Sequence, residues 1–257
     1  MVNLEGKAAL VTGASQGIGK QTVIELLKKK IKVAIADIAV DKGEETAKEL
    51  QKEYGDKNVI FIKLDVTNET EFEAAIVKAK SVFGRLDYLL NNAGVAGEEN
   101  WRRTIDINLN AVIIGTQLGL HHLSDDKGQK TGTMIINTAS IVGINAMVIN
   151  PVYTASKHGC VGFTKCWGSE VNVAKTGVKV NAVCPEATDT VLIRDLGVSA
   201  VNQSEAAKLK DCISKTLVTT DKVASAFIKL LEEEVTGKLL VVSYEKGLYY
   251  SPYDTYY

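Results

Sequence analysis

The chain has little of anything that marks a special environment. Its 257 residues include 3 Pro, 4 Cys and 3 His, and 30 Lys+Arg against 31 Asp+Glu leave a formal charge of -1. So few prolines, beside a 46% hydrophobic share, exclude a Pro-rich linker or a disordered arm and leave a folded, helix-rich chain. Without a basic excess there is no counterion-release drive toward nucleic acid, and no nucleic-acid partner is expected. No apolar run approaches the roughly 18 residues of a bilayer span. The first residues, Met1-Val2-Asn3-Leu4-Glu5-Gly6-Lys7, lack the charged, apolar and small-residue regions of a secretory leader, so a cytoplasmic setting is expected. Cys160, Cys166, Cys184 and Cys212 form no C-x-x-C pair and are expected as buried free thiols. His121, His122 and His158 have no third ligand at metal spacing, and no metal is expected.

What is present is alternation. Short apolar runs at Lys7–Thr12, Lys32–Ala36, Val59–Leu64, Leu86–Leu90, Thr133–Asn137, Val178–Val183 and Leu239–Val242 read as strands, separated by segments of helical period. Helices are predicted over Asp41–Tyr54, Asn68–Phe83, Trp101–His122 and Val152–Ala174. Strands joined by helices cannot pair as hairpins. A doubly wound, Rossmann-like α/β domain with a seven-stranded parallel sheet covered on both faces follows. No linker or change of composition divides the chain, so one domain is expected. Its least regular stretch, Glu186–Lys215, is read as a substrate-covering loop and helix, and 244–257 as an aromatic C-terminal tail.

The first strand opens into Thr12-Gly13-Ala14-Ser15-Gln16-Gly17-Ile18-Gly19. Glycines between a strand and a helix let the backbone approach a pyrophosphate, whose charge the free N–H groups of the helix start can hold. Asp37, about 20 residues on at the end of the second strand, completes the context of a dinucleotide site. Its carboxylate suits ribose hydroxyls and repels a 2′-phosphate. Ile38 follows it with no arginine adjacent, so NAD is expected over NADP, with Lys20 the one counter-argument.

Tyr153 and Lys157 stand four apart at a helix start and share a face. A phenol with an ordinary pKa near 10 is a poor base at neutral pH, and an adjacent ammonium favours the phenolate. Ser140 lies just past the carboxyl end of a strand, where open α/β sheets bind ligands. Asn108 is a mid-helix asparagine, an unfavourable place unless buried for a purpose. None of these residues makes the case alone.

Together they resemble the short-chain dehydrogenase/reductase family from about Lys7 to Val242. The elements appear in family order: the Gly13/Gly17/Gly19 turn, Asp65 and Val66 after the third strand, Asn92-Ala93-Gly94 after the fourth, then Asn108, Ser140, Tyr153 with Lys157, and Pro185 after the sixth. The resemblance implies a catalytic tetrad of Asn108, Ser140, Tyr153 and Lys157. It implies cofactor contacts from Gly13, Ser15, Gln16, Gly17, Ile18, Gly19, Asp37, Ile38, Asp65, Val66, Asn92, Ala93, Gly94, Tyr153, Lys157 and Pro185, with Thr188 and Thr190 beside the nicotinamide. The stretches Glu99-Asn100-Trp101 and Pro151–Thr164 are most similar to the prostaglandin-dehydrogenase branch and insect-type alcohol dehydrogenases. Departures fall where that branch reads substrate: Glu186 stands for a glycine, Ala187 for an aromatic residue and Asn150 for a glutamine. The expected activity is NAD-dependent interconversion of an alcohol and its carbonyl on a small molecule, by a homodimer or tetramer. An NADH-dependent carbonyl reductase and a non-catalytic NAD(H)-binding scaffold are the alternatives.

Overall fold

The computed structural model describes residues 2–124, 132–194 and 200–252. Strand β1 (Ala8–Thr12) leads into helix α1 (Gly17–Lys28), β2 (Lys32–Asp37) into α2 (Val40–Tyr54), and β3 (Val59–Lys63) into α3 (Glu69–Phe83). After β4 (Tyr88–Asn91), α4 (Trp101–Ile105), a π-helical turn (Asp106–Asn110) and α5 (Ala111–Leu123) run as one helix. Next come β5 (Thr133–Thr138), a 3-10 turn (Ile141–Gly143), α6 (Pro151–Trp167), α7 (Glu170–Thr176) and β6 (Val178–Pro185). Helices α8 (Val191–Arg194), α9 (Gln203–Ser214) and α10 (Thr220–Glu233) precede β7 (Leu239–Ser243) and β8 (Gly247–Tyr250).

The strands form one sheet in the order β3-β2-β1-β4-β5-β6-β7-β8. Side chains alternate across it, as a period of two requires. Ala9 and Val11 of β1 face a core completed by Val23 and Leu26 of α1 and by Phe227 and Leu231 of α10. Ala8 and Leu10 face the opposite core, with Phe72 and Ile76 of α3 and Leu120 of α5. Both faces are covered, which is why the strands read as continuous apolar runs.

The architecture is the expected doubly wound sheet, with three differences. Seven strands are parallel, but the sheet has an eighth, β8, antiparallel to β7 with Val242 opposite Leu248. Its residues come from the stretch read as an aromatic tail. Gly247, at φ +68°, makes the reversal that lets Tyr249 and Tyr250 lie along the edge, while Tyr253–Tyr257 fall outside the described residues. The helix expected over Val152–Ala174 breaks at Gly168, where a Cβ would lie 2.4 Å from the Val180 carbonyl oxygen and 2.5 Å from Gly237 Cα. Ser169 then caps α7 by accepting the Asn172 N–H. The helix expected over Trp101–His122 carries the π turn centred on Asn108, a distortion no 3.6-residue pattern predicts.

The expectation of buried cysteines needs one correction. Cys160 and Cys184 are buried, but Cys166 is exposed; the side chain of Cys212 falls outside the described residues. Cys166 lies six residues beyond Cys160 on α6, which places it about 120° round the helix from the buried Cys160.

Candidate active site

The sheet reverses its winding at β1, whose neighbours are β2 and β4. At such a point loops leave to opposite faces and a crevice opens beyond the carboxyl ends. A cavity of about 1180 Å³ lies there.

One side of the cavity is the glycine-rich turn. Gly13 has φ +62°, and a Cβ on it would lie 2.7 Å from Ala93 Cα, while one on Gly19 would lie 2.3 Å from the Gly13 carbonyl oxygen. Backbone thus packs on backbone, leaving no room for a side chain. Asn92 clamps the turn, donating from Nδ2 to the carbonyls of Thr12 at 2.9 Å and Gly13 at 3.1 Å. Asp37 Oδ2 accepts the Ser15 N–H at 2.9 Å and Oδ1 accepts the Ala39 N–H at 3.0 Å. Asp37 and Ile38 both line the cavity. Lys20 is paired with Glu49 at 2.6 Å. Asp65 and Val66 line the same end. The hydroxyl and N–H of Thr67, at 2.7 and 3.0 Å, hold the Asp65 carboxyl below the usual carboxylate range.

The other side carries the residues of acid–base type. Lys157 is buried, donates to the Thr138 carbonyl at 2.7 Å and lies 5.7 Å from the centroid of the Tyr153 ring. Ser140 Oγ accepts the Val142 N–H at 3.3 Å and donates to the Pro185 carbonyl at 3.4 Å. Tyr153, Lys157 and Ser140 all line the cavity, with Pro185, Ala187, Thr188 and Thr190. Glu186, where a glycine would be usual, accepts the Tyr244 N–H at 2.9 Å. Its own N–H donates to the Val242 carbonyl at 2.9 Å, so this residue ties the loop after β6 to the end of β7.

This order of strands, glycine-rich turn and tyrosine–lysine pair coincides with a match to the short chain dehydrogenase family over residues 7–198. The chain belongs to that family. Among the relatives of this short chain dehydrogenase is the human 15-hydroxyprostaglandin dehydrogenase (NAD+), 36% identical over 260 residues covering 99% of this chain and 97% of the relative. Another is 3beta-hydroxysteroid dehydrogenase 2 of Eggerthella lenta, 34% identical over 219 residues, or 80% of this chain and 79% of the relative. A short chain dehydrogenase/reductase from Burkholderia phymatum, solved in complex with NAD, superposes with a TM-score of 0.81 at 23% identity, covering 94% of this chain and 90% of that one. At that identity it bears on the fold.

Most residues singled out in the sequence meet at the cavity of this short chain dehydrogenase: Gly13, Gln16, Gly17, Ile18 and Gly19 on the turn, and Asn92, Ala93 and Gly94 after β4. Three are not on its wall. Ser15 contributes its backbone N–H to Asp37. Asn108 is buried behind the wall, its Oδ1 accepting the Val95 N–H at 2.9 Å and its Nδ2 donating to the Val95 carbonyl at 2.8 Å and to Ser156 Oγ at 3.3 Å. Asn150 is buried at the start of α6, and its Oδ1 has no hydrogen-bond partner among the described residues.

Sequence reading missed three groups that hold the site. The Thr138 carbonyl anchors Lys157, Thr12 Oγ1 accepts the N–H groups of Asn92 and Ala93 at 2.9 and 3.1 Å, and Glu98 reaches α6 from the loop after β4. A backbone carbonyl leaves no mark in sequence, and Glu98 lies more than fifty residues from its partners.

Proposed function

We propose that this chain oxidises an apolar, secondary alcohol to its carbonyl with NAD+, and reduces the carbonyl in reverse. The observation that carries the reading is one cavity lined both by the glycine-rich turn with Asp37 and by Tyr153, Lys157 and Ser140. The residues present fit a dinucleotide. The glycine turn offers backbone N–H groups at a helix start, Asp37 faces the cavity with an acceptor for ribose hydroxyls, and Lys20 is neutralised by Glu49, which removes the argument for a 2′-phosphate. Gly13, Gln16, Gly17, Ile18 and Gly19 would hold the pyrophosphate side. Asp37, Ile38, Asp65 and Val66 would hold the adenosine, and Asn92, Ala93, Gly94, Pro185, Thr188 and Thr190 the nicotinamide half. When bound, the nicotinamide supplies a hydride acceptor.

The chain's own residues handle the proton and the orientation. Tyr153 takes the alcohol proton as base and returns it in the reductive direction. Lys157, fixed by the Thr138 carbonyl, keeps its ammonium beside the Tyr153 ring. Ser140 holds the substrate oxygen, and Asn108 supports the proton path behind Lys157. Ile141, Val142, Met147, Leu192, Leu209 and Ile213 also line the wall, an apolar patch that suits an apolar substrate body. Ala187 enlarges that end, and the described parts of the stretch after β6, residues 186–194 and 200–215, cover it. We place Asn150 beneath the substrate end, where it shapes the wall through α6. The working unit of this reading is a soluble, cytoplasmic homodimer pairing through the helices that hold Asn108 and Tyr153.

The test is an NAD+ turnover screen over prostaglandins, hydroxysteroids, isoprenoid alcohols and simple cyclic alcohols, with NADP+ in parallel. Turnover of at least one apolar secondary alcohol with NAD+ is expected. Tyr153→Phe should lower kcat by about 10³-fold and leave NADH binding intact. Substantial residual turnover in that variant would sink the assignment of the base.

A further inference from the structure

We propose that Glu98 is a positioning residue for Tyr153, acting through the backbone of the catalytic helix; the inference rests on the activity proposed above. Helix α6 begins at Pro151, which has no N–H, so its first unsatisfied donors are the N–H groups of Val152 and Tyr153. A helix usually meets these donors with the side chain of the preceding residue. Asn150 makes no such bond. The carboxylate of Glu98 does it from another loop: Oε2 accepts the Val152 N–H at 2.9 Å and Oε1 accepts the Tyr153 N–H at 3.1 Å. One oxygen serves each donor, and the negative charge sits at the positive end of a helix 17 residues long.

Glu98 is itself held. Within its loop, Val95 is fixed through both backbone groups by Asn108, and the Gly97 carbonyl accepts the Thr104 hydroxyl at 2.6 Å. Val95 and Ala96 form part of the cavity wall. Glu98 therefore braces the wall that follows β4 against the first turn of α6, at the peptide of Tyr153. Lys157 lies one turn deeper with its own anchor at the Thr138 carbonyl. Removing Glu98 should loosen the tyrosine and leave the lysine in place, so the damage should fall on kcat rather than on cofactor affinity.

Glu98→Ala and Glu98→Gln are compared with the wild-type full chain for steady-state turnover of an alcohol from the panel, NADH binding, and amide hydrogen exchange. Glu98→Ala should lower kcat about 10- to 100-fold with NADH affinity unchanged. Exchange should quicken in peptides covering Val152 and Tyr153 and stay unchanged in those covering the second half of α6. Glu98→Gln, which keeps one acceptor, should fall between, and it carries the test if the alanine variant does not fold. Unchanged kcat, or a loss of kcat matched by a loss of NADH affinity, would overturn the positioning role. If the wild type turns over no alcohol, the proposed activity fails instead. Exchange then decides for the brace if it quickens only in the first turn, and against it if it does not.

Discussion

Asp37 serves two partners with one carboxylate. It accepts the Ser15 N–H and so helps hold the glycine-rich turn in shape, and it presents a negative group to the cavity. Replacing it by Ala should therefore cost NAD+ affinity in two ways, through loss of the ribose acceptor proposed above and through a looser turn. The expected result is a rise in KM for NAD+ of about 10-fold or more, with a smaller rise or a gain for NADP+, read from initial rates with each cofactor. The cysteines give a second expectation at this scale. Burial pushes the thiols of Cys160 and Cys184 up, so both stay protonated and inert, whereas Cys166 is exposed. Brief alkylation of the native protein followed by peptide mapping should label Cys166 and spare Cys160 and Cys184, and denaturation should remove the difference.

At the scale of elements, what positions the site is how helices begin and where strands stop. Asn68 caps α3 by accepting the Glu71 N–H, while Thr67 bonds Asp65 just past β3. The carboxyl of Asp65 is held low, so its contribution is present above its unfolded value, near pH ~4, and is lost as pH falls through the folded value. Thr67→Val should accordingly destabilise the protein by about 1 kcal/mol at neutral pH. The deficit should shrink as the pH drops below that range, as measured by urea unfolding at a series of pH values. The start of α1 is a steric matter. Gly19→Ala would force a Cβ to within 2.3 Å of the Gly13 carbonyl oxygen. A loss of about 1–3 kcal/mol and of NADH binding is expected, measured by thermal unfolding and fluorescence titration.

Across the whole molecule, buried polar groups also tie strands together. Asp87 is buried and takes both Nε and Nη2 of Arg85, at 2.7 and 2.6 Å, together with the Ala8 N–H at 2.9 Å. That single carboxylate joins β1 to the segment entering β4, the two strands that flank the cavity. Asp87→Ala would leave a buried N–H unsatisfied and remove a bidentate arginine pair. It should cost about 2–3 kcal/mol, seen as a lower urea midpoint with an unchanged slope. Among the described residues no helix is long and apolar enough to cross a membrane.

The sequence by itself determined the parallel sheet, the glycine turn with its acid, and the tyrosine–lysine pair. Each of these is written in neighbouring residues: a run of apolar side chains buried on both faces, a backbone that must pass close to another, two side chains one helical turn apart. Tertiary structure decided what depends on groups distant in the chain. The end of α6 falls at a glycine, Gly168, because Val180 and Gly237 pack too closely there for a side chain. Asn108 sits in a π turn with its side chain on Val95. The aromatic tail supplies an eighth strand because the edge of β7 is open to it. Glu98 meets the first turn of α6 across more than fifty residues of sequence. Local pattern reports which face a residue turns to the core; which backbone donor or neighbouring element lies there is set only when the sheet is assembled.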